Sequence, residues 1–442
     1  MVSASDFVSA DKDLLSVPVN AFLPRLATVP LCEDAPSLSE VLVEEGTRVR
    51  EGDVIAKSRE IFIHSPVPGI VRRIGRCQYS NGRQGPCAEI ALDGAFTFLG
   101  RPSVTKSWQA YEASTVRFLL MEAGVVNTFA RAVPVFGQLK GRAGLDSILV
   151  LRLFDCDPSL VTESFVAWKF LRQVLEGAGI LARAFMARNL VIAYSGNERE
   201  SLRAGLDSLI AEERPHLFMP ATEILTVAVD TKRYPAGTMH DIAAAVKRTY
   251  KSDVFSKLGK KDLFVDSTTA LNAYNAVVLG KPVVSSLVHV TGDCLNAAAM
   301  LNVRIGTPLR SVAEQCGGFK RSLSKIIING IISGRAVSSL DIPVGRAVKS
   351  VEFVPGGKPA FPQTKSCVRC GSCRKICPVC LWPGNLYRIA GLDDIGKASV
   401  ADKDAYKSSL LCTDCGLCNS VCPSRIPLCQ TISLLKDSYH EI

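Results

Sequence analysis

Cys367, Cys370, Cys373 and Cys377 stand in the spacing Cys-x2-Cys-x2-Cys-x3-Cys with Pro378 behind them, and Cys412, Cys415, Cys418 and Cys422 repeat it ahead of Pro423. Every cysteine of the second run lies 45 residues after its counterpart (412 less 367, and 422 less 377). Thiolates are soft ligands, suited to zinc or to iron-sulfur clusters. Three thiolates separated by two residues each can wrap three corners of an iron-sulfur cubane, because a loop of that length curls around the cluster and turns its backbone N–H groups toward the sulfides. A structural zinc site instead pairs one Cys-x2-4-Cys with a second distant pair, and has no use for a third evenly spaced cysteine or a trailing Cys-Pro. The expected ligands are therefore those of two [4Fe-4S] clusters.

The fourth iron of each cubane needs a ligand from elsewhere. In two-cluster iron-sulfur folds the last cysteine of each run serves the other cluster. This arrangement assigns Cys367, Cys370, Cys373 and Cys422 to cluster 1, and Cys412, Cys415, Cys418 and Cys377 to cluster 2. With all corners held by protein, neither cluster offers an open iron for substrate, and no catalytic residue is expected: the pair reads as an electron wire. Cys380 and Cys429 lie outside both patterns and read as packing thiols or sulfurs beside the ligands. Cys32, Cys77, Cys87, Cys156, Cys294 and Cys316 are too scattered to predict a further site.

The elements that must position this region come from a chain of 442 residues, too long for one core. Hydrophobic residues make up 47% and charged residues 21%, an ordinary globular balance without a disordered tract. Ten of the sixteen cysteines follow residue 366 and no secretory signal opens the chain, which favours metal ligands in a reducing compartment over a disulfide framework. No window approaches the roughly 20 apolar residues needed to span a bilayer, so any membrane link is expected to be peripheral. The net charge of +10 is spread along the chain, which permits acidic partners and does not point to nucleic acid.

Residues 38 to 76 carry short alternating apolar runs broken by Gly46, Gly52 and the Pro66 to Gly69 turn, the pattern of tight hairpins closing a small barrel. This stretch resembles the hammerhead of biotinyl and lipoyl carrier domains, yet it lacks the acidic-Lys-Ala turn that presents a modifiable lysine; Lys57, the nearest, reads as a surface residue. Between 105 and 275 the runs "SILVLRLF", "NLVIAYS", "ILTVAVD" and "DLFVD" alternate with helical segments, which predicts a mostly parallel sheet covered by helices. In "SFVAWKFLRQVLEGAG" the residues Val166, Phe170, Val174 and Leu175 share a helical face, with Gly177 expected at the C-cap. Residues 282 to 335 return to short strands around one helix. The expected architecture is multidomain α/β plus β: a hammerhead-like β domain (1–104), an α/β Rossmann-like domain (105–280), a β-grasp-like domain (281–353), a Pro/Gly-rich linker (354–366) and a two-[4Fe-4S] ferredoxin-like α domain (367–442).

In this order, and with the stretches "YPAG" (234–237), "VVLGKPVVSSLVHVTGD" (277–293), "IGTPL" (305–309) and "SLDIPV" (339–344), the chain resembles the RnfC subunit of the Rnf-type ion-translocating electron-transport complex along nearly its whole length. The resemblance implies an α/β domain like the flavin- and NADH-binding subunit of respiratory complex I. It also implies a peripheral subunit on the cytoplasmic face of the membrane, working within an oxidoreductase and translocase complex beside integral-membrane subunits.

Its departures from the family pattern fall on the nucleotide elements. Where the family has a glycine-rich flavin loop, this chain reads "AGVVNTFARAVPVFGQL" (123–139): Asn127, Phe129, Ala130 and Ala132 hold glycine positions, and Gln138 replaces a lysine. A residue with a Cβ hinders the close backbone approach to phosphate that such a loop needs. The family's Glu-Cys-Glu-Pro turn has become Asp155-Cys156-Asp157-Pro158, the Glu and Lys after "YPAG" have become Met239 and His240, and "INGIISG" (328–334) replaces a Gly-Gly-Pro-Met-Met-Gly loop. FMN and NADH are therefore not expected to bind tightly, and the electron donor is expected to be a ferredoxin- or flavodoxin-like partner or another subunit. A soluble flavin and iron-sulfur reductase of the cobalamin-reductase type, and a non-catalytic redox-sensing scaffold, are the competing readings.

Overall fold

A computed structural model describes residues 2–3, 18–32, 40–93, 107–139, 147–197, 200–217, 223–250, 255, 258–259, 261–356, 364–392 and 399–439. Residues 38 and 39 of the hairpin stretch, and 357–363 of the expected linker, lie outside them.

The first unit packs a four-stranded antiparallel sheet against a three-stranded one. The strands are β1 (Leu26–Pro30), β2 (Glu40–Val41), β3 (Arg48–Val49), β4 (Val54–Lys57), β5 (Phe62–His64), β6 (Gly69–Gln78) and β7 (Gln84–Leu92), in the orders β1-β7-β6-β3 and β2-β4-β5. Lys57 ends β4 and pairs with Glu40 across the strand at 3.6 Å.

The four apolar runs form β10 (Ile148–Arg152), β11 (Asn189–Ser195), β12 (Glu223–Val229) and β13 (Leu263–Asp266), following a two-residue hairpin, β8 (Val126–Asn127) and β9 (Val133–Pro134). They make a wholly parallel sheet in the order β12-β11-β10-β13. The helices that cover or flank it are α1 (Ala113–Glu122), α2 (Val135–Leu139), α3 (Thr162–Lys169), α4 (Leu171–Phe185), α5 (Glu200–Leu217), α6 (Met239–Thr249) and α7 (Ser267–Val277). Gly177 is not a C-cap. It sits inside α4, where a Cβ would stand 1.9 Å from the Ala270 carbonyl oxygen, so its lack of a side chain lets α4 lie directly on α7. The expected single helix is also broken at Phe170, and α4 ends instead on Met186 in the left-handed conformation (φ 57°).

A third sheet contains β14 (Ser285–Thr291), β15 (Ala299–Arg304), β16 (Leu323–Ile328), β17 (Arg335–Val337) and β18 (Ser350–Pro355), with α8 (Leu309–Gln315) packed on it. Val19–Asn20 adds an edge strand beside β15, so this early segment joins a sheet formed some 280 residues later (301 less 19 is 282). β18 runs through Val354 and Pro355, placed above in the linker, because they continue the ladder to Lys325 and Leu323. One apolar core runs unbroken from Ala27, Val29 and Ile90 of the first unit to Leu151 and Ile192 of the parallel sheet and Val174 of α4.

The cysteine-rich end is helical: α9 (Ser372–Ile376), α10 (Pro383–Ala390), α11 (Val400–Ser408), α12 (Leu417–Ser420) and α13 (Leu428–Tyr439). Its apolar centre is formed by Leu381, Leu386, Ile389, Tyr406, Ile432 and Leu435. Among the described residues no helix is long and apolar enough to cross a membrane.

Candidate metal centre

The 45-residue repeat of the cysteines is also a repeat of backbone shape. Gly371 and Gly416 precede α9 and α12 in the left-handed region, at φ 76° and 69°. Arg369 and Asp414, again 45 apart, share φ 55°, and Cys380 and Arg425 take 57° and 54°. Non-glycine residues rarely adopt positive φ. Three matched pairs show that each cysteine loop is wound the same way, and α10 and α13 start at equivalent positions, 383 and 428. The tail of the second run ties down the head of the first: Lys365 N donates to Ser424 O at 2.9 Å, and Ser424 Oγ donates to Ser366 O at 2.9 Å.

Cys412, Cys415, Cys418 and Cys377, the four residues assigned to cluster 2, line a single small recess together with Cys429. Cys377 is thus brought from the first run to the second, as the crossed assignment requires. For cluster 1, Cys373 and Cys422 pack against the same small apolar group around Ile426 and Leu428, while Cys367 and Cys370 lie exposed on the loop before α9. Among the described residues no three Cys, His, Asp or Glu side chains stand close enough to share one metal ion. A cubane sets its four thiolates around a larger body, and a rimmed recess suits it.

Backbone amides already point at the sulfurs. Leu381 N–H donates to Cys377 Sγ at 3.3 Å and Asp414 N–H to Cys412 Sγ at 3.4 Å. Burial pushes the thiols of Cys373, Cys377 and Cys415 up, and a hydrogen bond with Cys429, then burial, does the same to Cys412. Cys370, on the exposed loop, is instead drawn down by the Ser372 hydroxyl. Metal loading at the buried thiols must displace protons.

The two halves differ in where they face. The cluster 2 loop is seated on the body of the protein: Tyr234 OH donates to Cys415 O at 2.7 Å, and a Cβ on Gly416 would stand 2.7 Å from the Ile332 carbonyl oxygen. Burial, then the neighbouring Asp157, pushes the Tyr234 phenol well up, which keeps it a donor. Ile332 belongs to the turn after β16, which is held by Asp157: that carboxylate accepts from Ser333 N at 2.9 Å, Ser333 Oγ at 2.8 Å and Ile332 N at 3.2 Å. Asp414 pairs with Lys436, 2.5 Å away, whose ammonium also donates to Cys412 O at 2.7 Å.

In an open parallel sheet the ligand crevice lies at the carboxyl ends of the strands, where the strand order reverses. Here that point is between β10 and β13, and the segment 127–129 fills it. The Phe129 ring lies 5.4 Å from the Phe264 ring, with the Arg152 guanidinium 4.2 Å over its face. Asn127 is buried and donates to Phe264 O and Gln138 Oε1, both at 2.8 Å. Behind the ring, Lys349 Nζ contacts Asp266 Oδ2 at 2.6 Å, Glu163 Oε1 at 2.9 Å and Thr128 O at 3.0 Å. Burial raises the Glu163 carboxyl, with Asp266 adding to it. Burial also opposes charge on Asp266, but Lys349 and then Arg152 outweigh it and hold that carboxyl at about 2.

The other family elements have structural partners too. Asp155 caps α3, accepting from the N–H groups of Glu163 and Ser164 at 2.9 Å, and Asp157 clasps the 328–334 turn as described. Ala130 is exposed and Ala132 half-buried beside the plugged crevice, and His240 is the second residue of α6, behind its Thr238 cap. Sequence reasoning passed over Tyr234, Arg152, Lys349 and Ile332. The "YPAG" stretch marked Tyr234 only as part of a likeness, and the others carried no local signal.

Comparison with known proteins matches residues 10–95 to the RnfC barrel sandwich hybrid domain and residues 363–426 to the 4Fe-4S dicluster domain. The RnfC component of the ion-translocating oxidoreductase complex of Rhodobacter capsulatus is 26% identical over 389 residues, covering 86% of this chain and 72% of that protein. Its counterpart from Yersinia enterocolitica is 25% identical over 83% of this chain, which spans about half (52%) of that longer relative. Among solved structures, an NAD+-reducing [NiFe]-hydrogenase in the H2-reduced state aligns at a TM-score of 0.47 and 14% identity, over 76% of this chain and 63% of the hydrogenase chain. An RnfC-type barrel at one end, a 4Fe-4S dicluster domain at the other, and a likeness covering more than four fifths of its length make the chain a relative of the RnfC component of the ion-translocating oxidoreductase complex.

Proposed function

We propose that this chain carries electrons through two [4Fe-4S] clusters as a peripheral subunit of an ion-translocating oxidoreductase complex, on the cytoplasmic face of the membrane and without tightly bound FMN or NADH. The observation that carries the reading is the duplicated cysteine loop, repeated in spacing and in backbone shape, with Cys377 delivered to the second run. Bound there, each cluster would take up and release one electron at a time. The chain's own groups set the conditions. Amides of Leu381 and Asp414 offset negative charge on the ligand sulfurs, the apolar residues around Leu386 and Ile432 limit water, and Tyr234 and Lys436 hold the second loop in place.

The filled crevice between β10 and β13 supports the flavin-free part of the reading, since the Phe129 ring and the Lys349 network occupy the place a nucleotide would take. In finer terms we read residues 105–280 as a degenerate complex-I-flavoprotein-like domain, 281–353 as β-grasp-like, and 367–442 as a two-cluster ferredoxin-like unit. The partners are then the membrane subunits of the complex and a ferredoxin- or flavodoxin-like donor.

Anaerobically purified and reconstituted protein is expected to hold about eight iron and eight sulfide per chain, with little flavin, and to show two interacting cluster signals by EPR. Stoichiometric FMN reducible by NADH would overturn the flavin-free reading. Cys415→Ser is expected to abolish partner-dependent turnover in membranes; unchanged turnover would favour a scaffold.

A further inference from the structure

The two halves of the cysteine repeat have the same backbone and opposite surfaces. Between Thr364 and Leu392 the chain has five cationic residues, Lys365, Arg369, Arg374, Lys375 and Arg388, and no Asp or Glu. All five are exposed, and Arg388 is engaged by Asp402. The position equivalent to Arg369 in the second half is Asp414, tied to a lysine that is only 4% exposed. At two loop positions apolar exposure follows the same division, although the second half exposes Leu434 on α13. Val368 is 67% exposed and Trp382 is 53% exposed, with the Arg374 guanidinium 5.1 Å over its ring, whereas their equivalents are Thr413 and Pro427.

We propose that the face bearing Cys367 and Cys370 is the docking surface for an acidic electron-transfer protein, and that cluster 2 is the inner end of the wire. The proposal rests on the two-cluster reading above and adds a direction to it. The second loop is closed off by Tyr234, Ile332 and Lys436, so the exposed end is the one a partner can approach. An arginine stacked on an exposed tryptophan, with an exposed valine and further exposed cations on the same segment, has the composition of an interface centre and its steering field. The complementary surface is a ring of carboxylates around a redox centre. An anionic bilayer would also attract the cations, but it would cover the exposed cysteines with a surface that accepts no electron.

The test uses reconstituted holoprotein, an acidic bacterial ferredoxin as probe, and phosphatidylglycerol vesicles as the competing surface. Ferredoxin is expected to bind the wild type and to weaken about tenfold or more between about 50 and about 200 mM salt, as steering by exposed charges requires. R369Q/R374Q/K375Q is expected to lose about tenfold in affinity at low salt, while R203Q on α5 keeps wild-type affinity. Should the triple variant lose iron, K365Q/K375Q decides, with a smaller loss expected at full iron content. Equal binding by wild type and variants, or binding to vesicles alone, overturns the proposal. Iron content is read on the same samples, so cluster-free wild type that still binds ferredoxin would sink the two-cluster reading and leave the docking surface standing.

Discussion

Lys349 shows how much of the α/β unit now rests on one side chain. Its ammonium lies among Asp266, Glu163 and the Thr128 carbonyl, and all three side chains are buried. Removing one member of a buried charge group leaves the others uncompensated, at a cost of about 3–5 kcal/mol. Lys349→Met is therefore expected to lower the unfolding free energy obtained from denaturant titration by that margin, and adding Asp266→Asn to restore part of it; a loss below about 1 kcal/mol would show the network to be solvated. The pH dependence has a definite sign. Asp266 is held at about 2, below its ordinary value, so its contribution is present at neutral pH and is lost as pH falls through the window from about 4 to about 2. Phe129 stood out in the sequence as a ring in a glycine's place. Its partners Arg152 and Phe264 did not, because nothing local links residues 23 and 135 positions away.

At the level of elements, Gly371 and Gly416 provide a controlled comparison. Both precede a short helix with positive φ, so alanine at either meets a backbone penalty of about 1 kcal/mol. Only Gly416 is crowded, by the Ile332 carbonyl, while a Cβ on Gly371 meets nothing within 4 Å. Gly371→Ala is expected to keep its iron and lose a few degrees of melting temperature. Gly416→Ala is expected to lose more stability together with about half its iron, as cluster 2 is displaced. Equal behaviour of the two variants would show that the seat on the body is unimportant. The helices themselves were legible from their periodicity, but the break at Phe170 and the place of Gly177 were not. The place of Gly177 follows from α4 lying against α7, a contact that a single helix pattern does not contain.

At the scale of the whole molecule, one acidic region lies where the third sheet meets the parallel sheet. Burial, with Asp293 and Asp157 adding to it, pushes the Glu352 carboxyl up to about 7. A carboxyl raised in the folded state favours the protonated form, so folding loses stability as pH climbs from the ordinary carboxylate range through 7. Glu352→Gln removes that loss. Its melting temperature is expected to differ little from wild type at pH 5 and to exceed it at pH 8, and a constant difference across that range would place Glu352 in solvent.

What the sequence determined by itself was the chemistry of the cysteine end. Three ligands of a cubane fall within one short loop, so spacing alone points to the 4Fe-4S dicluster domain matched at residues 363–426, and the second copy is what motivates the crossed fourth ligand proposed above. The alternation of apolar runs likewise announced the parallel sheet, since each strand carries its own pattern. Only the tertiary structure decided that the Val19–Asn20 strand joins the third sheet, that two units share one core, that the crevice between β10 and β13 is packed with Phe129 and the Lys349 network, and that the second cysteine loop faces inward. Each of these depends on pairs such as Tyr234 and Cys415, 181 residues apart. Contacts of that separation are fixed by how whole surfaces fit together, and no local spacing records them.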